Sequence, residues 1–393
     1  MISTRDPRLL GQVIADLEGA AEQVPPGQAR WRMRTNLADA LRQGGRPDAA
    51  LPFYEQAAEE AETAEDWSDM GVICQNWASG LGDVGRLDDA KATYRRSAEA
   101  QRRAGSPRVN VLLSEFEALR VDVMQGEAER ALPEIESRLQ EVRGWWRRHR
   151  EGETVPEAPD AVALGRALTG GLDIAKDANQ ALERWEACLG LLTELEEAER
   201  ALGEGEHEMA RTRFNRYGPL LRLGRLDEAQ EVLESCLEIF RAVGDLSMEA
   251  KSLSALSDLW NEREDREQAV GLGRQALAAR NRLSDLVGRS ISHGNLANYL
   301  DRLGEAEEAA RHRLVAIVYD LVMGHRQFLA TDLRNLAILM RNATASGKRY
   351  ELPRLAELVA RPEFEALRRT LAERNVGVEA LQAEIDRLVA GLG

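Results

Sequence analysis

The sequence predicts an all-α chain, a solenoid of stacked helix pairs. Three observations predict it. Ala, Leu, Glu and Arg dominate, and aromatic residues make up only 5%; the dominant residues are those that lose least on entering a helix. Runs of alternating Val, Ile, Thr and Tyr are missing, so strands are not expected. A short turn phrase recurs about every 40 residues, which is the mark of a repeat array.

The phrase is Gly, a polar residue, a spacer, an acid, then Ala. It reads Gly45-Arg46-Pro47-Asp48-Ala49-Ala50, Gly85-Arg86-Leu87-Asp88-Asp89-Ala90, Gly126-Glu127-Ala128-Glu129-Arg130-Ala131 and Gly224-Arg225-Leu226-Asp227-Glu228-Ala229. Weaker copies end at Ala269 and Ala309. Ala50 to Ala90 is 40 residues and Ala90 to Ala131 is 41; Ala229 to Ala269 and Ala269 to Ala309 are each 40. Glycine closes one helix in a left-handed cap, and the acid opens the next beside its positive end. The phrase is therefore a tight turn between two helices.

The flanks keep the same register. Twelve residues before the alanine stand Ala38, Ala78, Ser257 and Ala297, each preceded by a large residue: Leu37, Trp77, Leu256 and Leu296. Nine before it stand Leu41, Leu81, Leu220, Trp260 and Leu300; seven after it stand Ala57, Ser97, Cys236, Ala276 and Ala316. Small residues let antiparallel helices approach, and large ones fill the space between pairs.

On these residues the chain resembles the tetratricopeptide repeat family. The small-residue positions match its pattern, and Tyr54 and Tyr94, four after the turn alanine, match its aromatic position. The period is longer than the family's 34 and the closing proline is missing, as in the kinesin-light-chain-like branch. The resemblance covers about residues 30–345. It implies a right-handed superhelix whose first helices line a concave, peptide-holding groove.

The remaining segments complete the expected layout. Residues 1–140 hold a capping helix and repeats, 141–200 a loop and a degenerate repeat, 201–345 further repeats, and 346–393 capping helices. Ala131 to Ala229 is 98 residues, more than two periods. A degenerate pair is expected there, with helices over Asp160–Leu172 and Ala178–Ala201. After Asn342, amphipathic helices are expected over Leu352–Val359, Glu363–Arg374 and Val378–Leu392, closing the open end as solenoids require. About seven helix pairs result.

Composition narrows the function. The net charge is −15, which disfavours nucleic acid, since phosphate binding needs clustered Lys and Arg. Cys74, Cys188 and Cys236 are far apart and lack metal spacing, and a sparse odd set fits a reducing compartment. No apolar run approaches the ~18 residues of a membrane span, and the N-terminus lacks the apolar core of a signal peptide. A cytoplasmic location is expected.

Catalytic motifs are missing. Gly347-Lys348 is followed by Arg349 and so forms no phosphate loop. Gly203-Glu204-Gly205 and Gly271-Leu272-Gly273 follow no strand. The histidines are dispersed, and His293-Gly294, which resembles the histidine of caspase-like proteases, lies inside a repeat helix. Neither enzyme chemistry nor a cofactor is expected.

One column is polar without structural need. Fourteen residues before the turn alanines stand Asn36, Asn76, Asn215, Ala255 and Asn295, and 40 beyond Asn295 stands Asn335. Asparagine is a poor helix former. Its amide both donates and accepts, so a ladder of amides can hold a peptide backbone. One turn earlier lie Arg32, Arg211 and Lys251; one turn later lie Asp39, Asp258 and Asn298. The basic members point to a ligand bearing a carboxylate or acidic side chains. The alternative is that each asparagine braces a neighbouring backbone. Trp145, Trp146, Arg147 and Arg148 form the densest basic-aromatic patch, either a partner anchor or a helix end with tryptophans inward and arginines in water.

The expected function is a non-enzymatic adaptor that binds a protein or extended peptide in the groove. The competing expectation is a sensor or regulatory subunit of a bacterial signalling or defence assembly whose effector is another chain.

Overall fold

The computed structural model describes residues 7–345 and 352–391. The described residues are helical, without strands, and fall into two units, Met1–Glu204 and Gly205–Gly393. The first holds α1 (Pro7–Gln23) and four pairs: α2 (Gln28–Gln43) with α3 (Pro47–Thr63), α4 (Trp67–Asp83) with α5 (Leu87–Arg103), α6 (Arg108–Met124) with α7 (Ala128–Arg150), and α8 (Ala161–Ala181) with α9 (Trp185–Leu202). The second holds a broken helix, α10 (Glu206–Phe214) and α11 (Tyr217–Arg222), against α12 (Leu226–Val243). Then come α13 (Leu246–Glu262) with α14 (Arg266–Asn281), α15 (Leu286–Leu303) with α16 (Ala306–Met323), and α17 (Arg326–Ala345). It ends with α18 (Leu355–Ala360), a 3-10 turn (Pro362–Phe364), α19 (Glu365–Glu373) and α20 (Val378–Ala390).

The turn phrase folds as its residues require. Gly45, Gly85, Gly126 and Gly224 have φ of 72°, 76°, 84° and 72°, the left-handed region that glycine enters without a Cβ penalty. Turns between pairs often close on an aspartate cap. Asp66 Oδ1 accepts from Asp69 N at 3.0 Å and Asp245 Oδ1 from Met248 N at 3.0 Å, satisfying donors that a helix start leaves free.

The repeat alanines sit where two helices touch. Ala50, Ala90, Ala229, Ala269 and Ala309 are all 0% exposed. Small polar residues there bond to backbone: Ser97 Oγ donates to Gly71 O at 2.7 Å and Cys236 Sγ to Ala210 O at 3.4 Å. All three cysteines are buried, and none is in a disulfide.

Two elements differ from the sequence reading. The helix expected to end at Leu172 continues to Ala181. Gly171 lies against the Phe116 ring, where a Cβ would come within 2.9 Å of Cζ, so this glycine is a close-packing point inside a helix. The turn falls instead at Glu183, with φ of 56°. The first helix carrying Asn215 is broken. Pro219 has no N–H for the carbonyl of Asn215 and its ring clashes with that carbonyl, so Asn215 caps α10.

The C-terminal helices contribute Leu355, Leu358, Phe364, Leu367, Leu371, Leu381 and Ile385 to one apolar cluster with α15–α17. Residues 346–351, within the expected capping segment, lie outside the described residues. Among the described residues no helix is long and apolar enough to cross a membrane.

Candidate functional site

Residues 18, 14 and 11 before each turn alanine share one face of the first helix, because spacings of four and seven return to the same side. A repeated contact fixes that face. A side chain four after the turn alanine, on the second helix, bonds the residue eleven before it. Tyr54 Oη donates to Asp39, the Tyr94 hydroxyl shares a 2.9 Å bond with Ser79 Oγ, and Arg313 Nη2 donates to Asn298 Oδ1. In α14 this position is Gly273, and the ring of Tyr299, from the next pair, takes the space. A Cβ on Gly273 would lie 3.2 Å from Tyr299 Cδ2, and Tyr299 Oη donates to Asp258 Oδ1 at 2.5 Å. Burial raises Asp39 and Asp258 above the ordinary carboxylate range, against the lowering effect of the tyrosine bonds.

The asparagine column divides. Asn36 is exposed, and Asn215 is exposed at the helix break. Asn76 Nδ2 donates to Asp39 Oδ2 at 3.2 Å, a brace from α4 to α2. Asn295 and Asn335 are half-buried on a cleft of about 190 Å³ between α15, α16 and α17. Among the described residues neither amide has a side-chain hydrogen-bond partner. Asn298 also lines the cleft while accepting from Arg313.

The basic members divide as well. Arg32 is held by Asp69, Nε to Oδ2 at 2.7 Å and Nη2 to Oδ1 at 2.9 Å. That guanidinium, with burial opposing it and Trp31 adding a bond, keeps Asp69 below the usual range. Arg211 lies 3.7 Å from Asp245 and 3.8 Å from Glu208. Lys251 is exposed. At the end of α7, Trp145 is 9% exposed within the core and Trp146 packs beside it. Arg148 Nε bonds Glu153 Oε2 at 2.9 Å, and Arg147 is exposed.

The cleft floor was not foreseen from the sequence. Arg313, 3% exposed, pairs through Nη1 with Asp332, 8% exposed. Gly294 clears this pair: a Cβ there would lie 3.2 Å from Arg313 Nη1 and 3.4 Å from Asp332 Oδ1. The exposed edges of Ile291 and Ile338, 45% and 38%, flank the amides. The available signal was Arg313 itself, a cation in the column of Tyr54 and Tyr94. Behind the floor lie two further buried pairs: Asp320 against Asp332, and His293 Nδ1 at 2.8 Å from His312 Nδ1.

The cleft presents the neutral amides of Asn295, Asn298 and Asn335 above the buried pair of Arg313 and Asp332. Among the described residues no three metal-ligating side chains cluster.

Residues 32–63, covering α2 and α3, match the profile of the Tetratricopeptide repeat family. Comparison with curated proteins finds no match. Among solved structures the chain is similar to aspartyl phosphate phosphatase F from Bacillus subtilis, at 10% identity and a TM-score of 0.50, over 90% of this chain and 99% of that one. It is also similar to a Rap protein complexed with Competence and Sporulation Factor, at 12% identity and a TM-score of 0.45, over 86% and 99%. A third likeness is to a Signal Transduction ATPase with Numerous Domains, with a tetratricopeptide repeat sensor, from Pyrococcus horikoshii. It has 15% identity and a TM-score of 0.49, over 93% of this chain and 55% of that one. At these identities the likeness is one of fold.

Proposed function

We propose that this array of tetratricopeptide-type helix pairs is a non-enzymatic adaptor of the cytoplasm, and that α15 and α17 hold an extended peptide segment of a partner by its backbone. The carrying observation is the pair Asn295 and Asn335. They stand one period apart, half-buried on an open cleft, with amides that nothing in the described residues satisfies. Both amides open onto the cleft, and a carboxamide matches a peptide's N–H and C=O. Ile291 and Ile338 offer apolar contact to side chains beside that backbone. The cations that pointed to an acidic ligand are partly engaged, Arg32 by Asp69. Lys251 and the loosely paired Arg211 are left to favour acidic residues on the ligand.

The test is the double substitution Asn295→Ala with Asn335→Ala in the full chain. The probe is a peptide selected from a random library on the wild-type protein. Two lost hydrogen bonds at about 1 kcal/mol each predict affinity weaker by roughly 10- to 100-fold. The helical circular-dichroism signal should stay at its wild-type level. Unchanged affinity in a folded variant defeats the reading.

A further inference from the structure

Between α16 and α17 lies a cluster that peptide holding does not use. Asp320 on α16 is 0% exposed and Asp332 on α17 is 8% exposed, and their carboxyls are within hydrogen-bonding reach of each other. Ser290 of α15 donates to Asp320 Oδ1 at 2.6 Å. Asp320 Oδ2 is buried and meets no N–H or hydroxyl donor. Two ionised carboxylates cannot face each other at that depth without a matching pair of cations. The charged groups facing Asp320 are Asp332 from α17 and Arg313 from α16, while α15 presents the Ser290 hydroxyl. His293, further along α15, is turned to His312. One cation therefore serves two carboxyls, and neutrality requires one retained proton, which Asp320 Oδ2 is free to share with Asp332.

We propose that Asp320 and Asp332 form a proton-held latch between α16 and α17: one shared proton seats α17 and the cleft wall that Asp332 forms, and its loss unseats them. The latch stands on the helix packing alone, whatever the cleft holds. Burial, assisted by the neighbouring Asp332 carboxyl, pushes Asp320 up to about 7. An aspartate in the unfolded chain titrates near 4. Between these values the folded chain keeps a proton that the unfolded chain has released, so the seating of α17 weakens as pH rises across that window.

Hydrogen exchange of the full chain, corrected for intrinsic rates and read on peptides within residues 326–345, tests this without any ligand. Protection of α17 should fall by about tenfold between roughly pH 6 and pH 8. Asp320→Asn, whose amide replaces the shared proton with a fixed donor, should not show that fall. Ser290→Ala removes a bond that favours the anion and should move the midpoint to higher pH. The same change in protection between roughly pH 6 and pH 8 in the wild type and in Asp320→Asn overturns the latch. Should Asp320→Asn not fold, infrared spectra of the wild type decide. A protonated-carboxyl band present near pH 6 and lost near pH 8 supports the latch, and its absence near pH 6 overturns it.

Discussion

Replacing Phe116 with Ala is expected to destabilise the first unit by about 3–5 kcal/mol. Phe116, 2% exposed, sits on α6 where α7 and α8 meet, in one cluster with Leu139 and Leu168. Gly171 brings the α8 backbone against its ring, with Leu139 Cδ1 3.1 Å from where a Cβ would stand. Three helices thus close around one ring, and none can collapse into the void without losing its own contacts. The converse change, Gly171→Ala, forces a methyl against the ring and should cost about 1–3 kcal/mol. Combined, the two should be less than additive, because the added methyl enters the space that the ring has left. The measurement is urea unfolding followed by hydrogen exchange on peptides of α6–α8, since a chain of two units has no single unfolding transition. Strict additivity would show that the ring and the glycine do not share that space.

Acidification from about pH 6.5 to about pH 4 is expected to destabilise the second unit through its histidine pair, by on the order of 3 kcal/mol from His312 alone. His293 and His312 are 2% and 6% exposed, with ring centroids 5.0 Å apart. Phe364 from the C-terminal helices meets the His312 ring edge-on at 5.4 Å. A bond between two Nδ1 atoms requires one to carry a proton and the other to be bare. Burial, the largest cause, lowers His312 to about 4 and His293 well below its ordinary value. The unfolded chain therefore takes up protons before the folded one. Stability is present in full above about 6.5 and is lost as pH falls through that window. Asp320 acts with the opposite sign below about 7, so the comparison belongs in an Asp320→Asn background. There, His293→Phe with His312→Phe should abolish the acid loss, read as urea midpoints from exchange on α15 and α16. An unchanged slope with pH would assign the loss to other groups.

The repeat was legible because its signals are local. A glycine at positive φ, an acid one turn into a helix and an alanine at a crossing point each need only their own neighbourhood, and their register names the buried alanines. The helix through Gly171 was not legible, because the Phe116 ring that makes a glycine favourable there is 55 residues away in the chain. The break at Asn215 had a partial signal in Pro219, four residues on; Pro52 and Pro133 stand inside continuous helices, so proline alone does not dictate a break. The asparagine column looked uniform because one residue type recurred at one register. What each amide does depends on its neighbour, Asp39 within reach of Asn76 and open cleft beside Asn295 and Asn335. The cleft floor pairs Arg313 with a residue on the following helix, and that contact has no local signature.

The Tyr299 contact bears on how such arrays can be cut and rejoined. In the pairs α2/α3 and α4/α5, the tyrosine and its hydroxyl's partner belong to the same pair, so that tie would travel intact if the pair were moved or duplicated. The pair α13/α14 is different. Its Gly273 gap and its Asp258 acceptor are both completed by Tyr299 of the next pair. A junction placed in the turn near residue 284 would leave a hole and an unmatched half-buried carboxylate on one side and a stranded tyrosine on the other. Residues 246–323 therefore form a single heritable block of two pairs, and a shuffled or engineered array built from this chain must carry them together.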